Sequence, residues 1–239
     1  MLTNNVRTYL LQILLLSAAL IVCRSGGGNE PPPSPQGDTY DVDGNGIPKF
    51  AGMDYIELAK IQRISKFRSS EGHDYWDDFE SCRSMKHYFA PKDTVDWSSV
   101  KIFSPVNGII FRMDQEWAGT QVRIKSDAYP AFYFIIFHIN LSNPLATGDK
   151  VTAGQQLGTH IGSQTMSDIA VGINTPNGWK LVSYFDTVTD SVLQRYHARG
   201  LGSRADAIIS KQARDADTLK CNGDAFLNSG TIDNWVTLN

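Results

Sequence analysis

Apolar positions in the second half of the chain fall into short runs cut by turn residues, with no long stretch of helical period. Ile102-Phe103-Ser104-Pro105-Val106-Asn107-Gly108-Ile109-Ile110-Phe111 reads as strand, turn, strand. Thr120 to Ile124 alternates, and Ala131 to Ile139 is a strongly apolar strand with His138 near its end. Pro144 to Gly158 carries turns at Gly148-Asp149 and Ala153-Gly154. Ile169 to Ile173 and Lys180 to Phe185 flank a turn at Pro176-Asn177-Gly178. Strands this short and closely spaced predict an all-β, antiparallel sandwich or barrel. Asp54 to Phe67 fits no single period, so a short helix and a strand are both open there. Asp190 to Arg199 predicts a helix, and the rest of the 190–239 extension reads as irregular.

The first residues follow a different pattern. Arg7 precedes an apolar run from Tyr9 to Val22 that is shorter than the roughly 20 residues of a membrane span. This is the pattern of an export signal. The run ends at Cys23, with Leu20 three positions before it, which resembles a bacterial lipoprotein signal whose cysteine is lipidated. Val22 departs from the small residue usual there, and cleavage after Ser17-Ala18-Ala19 is the rival reading. The Gly/Pro-rich segment 24–40 has little to bury and predicts a disordered tether. The β domain would then span 41–189. At its start, Asp41-Val42-Asp43-Gly44-Asn45-Gly46 looks like half a calcium loop. The twelfth position is Gly52, where a bidentate acid is needed, so an Asx/Gly turn is the better reading.

Composition changes the picture in two ways. A net charge of -3 over 239 residues leaves no electrostatic footprint for nucleic acid. There are three cysteines, Cys23, Cys82 and Cys221. If Cys23 carries lipid, the other two form an even pair, which in an exported protein predicts a Cys82–Cys221 disulfide; two unpaired buried thiols are the alternative.

The candidate chemistry rests on histidine and aspartate. His73 and Asp77 stand in the spacing H-x-x-x-D, a weak signal alone, and His138 closes an apolar strand. Their order and surroundings raise the signal. Phe103 to Ile110, Phe137-His138-Ile139-Asn140-Leu141-Ser142 and Gly148-Asp149-Lys150-Val151-Thr152-Ala153-Gly154-Gln155-Gln156-Leu157-Gly158 resemble, in order, motifs of the LytM/M23 family of zinc metallopeptidases. The resemblance covers about 72–173 and implies an antiparallel β sandwich with a groove. It also implies zinc as cofactor, His73 and Asp77 as the first two ligands, and His138 as a catalytic histidine that orients the attacking water. The family's closing His-x-His, a catalytic residue and then the third ligand, falls on Asp168 and Ala170.

Alanine has no donor atom, and catalytic zinc normally needs three protein ligands. Residues i and i+2 of a strand share a face. Asp168 should therefore look into the cleft, either joining a metal site or pairing with His73 or His138 without one. His160 is the best compensating nitrogen ligand, and His87 and His197 have less support. The segment 78–97 is an insertion relative to the family, either an altered wall of the binding site or a disulfide-pinned surface excursion. The function expected is an envelope-anchored, catalytically degenerate domain, lipid-anchored or secreted, that binds peptidoglycan or an envelope protein. The alternative is an active zinc endopeptidase of cell-wall peptide cross-links, with Asp168 or His160 completing the site.

Overall fold

The computed structural model describes residues 37–239. The N-terminal apolar run read as an export signal, Cys23 and residues 24–36 of the expected tether lie outside them. The strands are β1 (Ile61–Ser65), β2 (His87–Pro91), β3 (Lys101–Phe103), β4 (Gly108–Glu116), β5 (Gly119–Ser126), β6 (Phe132–Leu141) and β7 (Lys150–Val151). They continue with β8 (Gln156–His160), β9 (Ser167–Thr175), β10 (Gly178–Val182), β11 (Cys221–Asn222), β12 (Ala225–Phe226) and β13 (Trp235–Thr237). One mainly antiparallel sheet runs β13-β1-β2-β9-β6-β5-β4-β7, with β10 added to β9 and β8 joining β6 to β3. The expected antiparallel β fold with short helical additions holds. The helices are α1 (Val42–Asn45), α2 (Tyr184–Thr187), α3 (Asp190–His197) and α4 (Lys211–Ala216).

β6 and β9 carry the fold because both of their faces are buried. On one face Phe132, Phe134, Ile136, Ile169, Val171 and Ile173 join the main core. On the other, Ile135, Phe137 and Ala170 pack with Phe67, Met85 and Leu181. Two buried faces explain why these strands read as continuous apolar runs rather than alternating ones. The 148–158 motif forms β7 and β8. At Gly158 an added Cβ would lie 2.1 Å from the Asn140 carbonyl, so glycine lets β8 close against β6.

Several sequence readings resolve or change. Asp54 to Phe67 holds both candidates in turn, a 3-10 turn at Leu58–Lys60 and then β1. Lys180 to Phe185 is strand only to Val182, because the Ser183 hydroxyl accepts from the Phe185 amide and starts α2. Asp41 caps α1 by accepting from the Asp43 and Gly44 amides, which is the Asx turn rather than a cation loop. Tyr40 is buried against Tyr129 and Phe132, so packing begins at the last residue of the 24–40 segment. β13 pairs with β1, bringing the C-terminal extension into the sheet.

The 78–97 segment supplies β2, an inner strand between β1 and β9. Cys82 and Cys221 form the expected disulfide, with Cα atoms 5.7 Å apart and a separation of 139 positions in sequence.

Candidate binding site

The site lies on the β2–β9–β6 face of the sheet, and register determines who meets whom. Tyr88 of β2 is paired with Asp168 of β9. Lys86, two residues before Tyr88, shares its face, and Ala170 shares that of Asp168. Continuing the β2–β9 register sets Lys86 opposite Ala170. The small alanine side chain leaves room for the long lysine stem.

His138 reaches this face by a different device. Between Thr120↔Ile139 and Val122↔Ile136, β5 advances two residues while β6 advances three. The extra residue is a β-bulge, and His138 sits in it with φ 61°. A non-glycine residue in the left-handed region is costly, and bulges of this kind re-aim a side chain. Here the bulge turns the His138 ring onto the same face as Asp168.

The centre of the cluster is Lys86. Its Nζ lies 2.5 Å from Asp168 Oδ2 and donates to His73 Nε2 at 3.1 Å. The Phe137, Tyr75 and Tyr88 rings surround it at 4.3, 4.9 and 5.0 Å. Burial alone would favour neutral lysine, but the Asp168 carboxylate, assisted by the Tyr88 phenol, outweighs it and holds the ammonium above its ordinary pKa. His73 donates from Nδ1 to the Asp74 carbonyl at 2.7 Å, which leaves Nε2 as an acceptor. Burial, then the Lys86 charge, lowers the His73 pKa and favours this neutral ring. His138 donates from Nδ1 to the Ala118 carbonyl at 2.9 Å, and its Nε2 lies 3.3 Å from Asp168 Oδ1. Both Asp168 oxygens, fully buried, thus face a nitrogen.

The other expected site residues lie elsewhere in the network. Asp77 Oδ1 accepts from the Phe79 and Glu80 amides, each at 2.8 Å, and Oδ2 from the Leu181 amide at 2.7 Å. It fastens the His73 loop to β10. His160 is fully buried against Trp97, and burial pushes its imidazole down to about 4. His87 is held between the Ser65 carbonyl and the Ser183 hydroxyl, both at 2.8 Å, inside the core. His197 Nδ1 meets the Leu201 carbonyl at the end of α3.

The resemblance makes zinc the cofactor to test against these residues, and they do not fit it. Among the described residues no three His, Cys, Asp or Glu side chains converge as a metal cage. The point between His73 Nε2 and Asp168 Oδ2 is taken by a protonated amine, and Ala170 lies in an apolar cluster. Sequence reasoning placed His73, His138 and Asp168 but missed Lys86 and Tyr88. Their one local signal is the alternation of Lys86, Tyr88 and Ala90 within the 78–97 segment.

Lys86, Tyr88, His73 and His138 line one cavity of about 510 Å³, with Trp97, Trp117, Ser163, Thr165 and Met166 around its mouth.

No family model matches the chain, and no curated protein does. Its structure is similar to that of a putative glycyl-glycine endopeptidase lytM from Ruminococcus gnavus ATCC 29149, at 14% identity and a TM-score of 0.34, over 42% of this chain and 43% of that one. It is also similar to a chain of the SpoIIQ–SpoIIIAH pore forming complex, at 12% identity and a TM-score of 0.41, over 62% and 97%. Lysostaphin matches at 12% identity and a TM-score of 0.31, over 49% and 52%. The chain spans less than half the length of the first of these structures.

Proposed function

We propose that this protein is a LytM/M23-like domain of the bacterial envelope that has exchanged zinc hydrolysis for binding, and that it holds peptidoglycan or an envelope partner in the cleft above Lys86. One observation carries the reading: a buried ammonium sits between His73 Nε2 and Asp168 Oδ2, opposite Ala170. A protonated amine supplies the local positive charge but has no open coordination position, so it cannot hold and acidify a water as zinc does. His138 Nε2 stands 3.3 Å from Asp168 Oδ1 and serves here as a fixed neighbour of that carboxylate. Asp77 positions the His73 loop and takes no part in chemistry. The N-terminal pattern ending at Cys23 supports anchoring at a membrane, and the Cys82–Cys221 disulfide suits an oxidising compartment.

Elemental analysis of the purified full-length protein after dialysis tests the reading. We expect far less than one zinc per chain and no release of soluble fragments from dye-labelled peptidoglycan. Stoichiometric zinc that disappears in His73→Ala, accompanied by cleavage, would establish the peptidase alternative instead.

A further inference from the structure

The cavity above Lys86 contains buried polar groups that the cluster itself does not satisfy. Tyr88 is 4% exposed and lines the cavity; the Lys86 ammonium and the Ser84 hydroxyl lie near its Oη, but neither makes a hydrogen bond of good geometry with it. A buried hydroxyl left unpaired costs on the order of 1–3 kcal/mol, so such a group calls for a partner. Gly72 brings the hydroxyl into place, since any Cβ there would lie 2.0 Å from Oη. Lys86 has three N–H donors, of which His73 takes one, while the Asp168 carboxylate sits beside the ammonium as its counter-charge. The base of the cavity therefore offers an ammonium donor and a hydroxyl that can both give and receive.

Charge narrows the ligand. Asp168 matches Lys86, and the Glu116 carboxylate lies 3.7 Å from His138 Nδ1. The base has no net positive charge to attract an anion. Shape narrows it further. Trp117 is 80% exposed, an unusual position for an indole, and it stands at the cavity mouth with Trp97. An exposed indole presents a flat apolar face with a polar edge. The apolar C–H face of a pyranose ring covers such a surface while its hydroxyls stay hydrogen-bonded. The hydroxyls of Ser163 and Thr165 complete the rim.

We propose that this cavity binds a neutral pyranose, with the ring over Trp117 and one hydroxyl or acetamido oxygen delivered to Tyr88 Oη and Lys86 Nζ. The inference rests on the reading of the cleft as a binding site and names its ligand as glycan rather than peptide.

The test uses full-length protein in detergent, titrated with tri-N-acetylchitotriose or with pentaglycine and followed by tryptophan fluorescence and calorimetry. Saturable binding of the saccharide is expected, with none of pentaglycine. Trp117→Ala, which removes an exposed side chain, should weaken binding about tenfold or more. Tyr88→Phe should weaken it by about 3- to 10-fold at unchanged thermal stability. Binding of pentaglycine in place of the saccharide, binding of neither, or saccharide binding that is indifferent to both substitutions would each overturn the proposal. Zinc-free protein that ignores the saccharide defeats this inference alone. Stoichiometric zinc defeats the functional reading independently of the titration.

Discussion

Replacing Lys86 with methionine tests the cluster most directly. The ammonium is 2% exposed and the Asp168 carboxylate fully buried. Methionine matches the lysine stem in volume, so the substitution removes charge without opening a cavity. Asp168 is then left with His138 Nε2 at 3.3 Å as its remaining nitrogen partner. Breaking a buried pair by deleting one member typically costs about 3–5 kcal/mol, because the other charge stays buried. That is a large part of the roughly 5–15 kcal/mol by which domains are stable. Asp168→Asn should also destabilise, since it strands the ammonium. The double variant, lacking both charges, should lose at least about 2 kcal/mol less than the sum of the singles, which is the coupling expected of residues in contact. Urea unfolding of all four proteins at pH 7, analysed at constant m, measures each term. A Lys86→Met cost under about 1 kcal/mol, or additivity within about 0.5 kcal/mol, would refute the claim that a buried ion pair organises the site.

Three further outcomes are expected. Burial pushes the His87 imidazole down to about 4. Its neutral form is therefore favoured in the folded state, the unfolded chain binds more protons between about pH 6.5 and 4, and stability falls as pH drops through that window. The His87 share is about 2 kcal/mol between pH 7 and 5, and the slope in denaturation curves should flatten in His87→Gln. Asp77→Ala removes the acceptor of three backbone amides and should lower stability by about 2–4 kcal/mol in thermal unfolding. Zinc content should not change in that variant, whereas a lost ligand would reduce it. Replacing Cys82 and Cys221 with serine opens a loop of 139 residues and should cost about 3–5 kcal/mol. Because the Asp224 carbonyl of the tail hairpin accepts from the Asp74 amide beside His73, hydrogen exchange at Asp74 should accelerate in that variant.

The strand pattern and the order of motifs determined much of this protein. Runs of period two, continuous apolar strands and turn residues are local properties, so β3, β4, β5, β6 and β9 could be read from spacing alone. The disulfide followed from counting, and the absence of a donor at Ala170 followed from its chemistry. Other features depended on residues distant in sequence. The 78–97 segment became an inner strand only because β1 and β9 offered free edges on either side of it. Asp77 accepts from the Leu181 amide, 104 residues away, a partner that the H-x-x-x-D spacing does not signal. Lys86 carries no local signal beyond its alternation with Tyr88 and Ala90. Its role depends on cross-strand register, on the bulge that turns His138, and on a carboxylate 82 positions later in the chain. A sequence specifies which groups are present and their local periodicity. Which charges neutralise one another is decided where the fold excludes water, because only there is an unpaired charge costly enough to choose its partner.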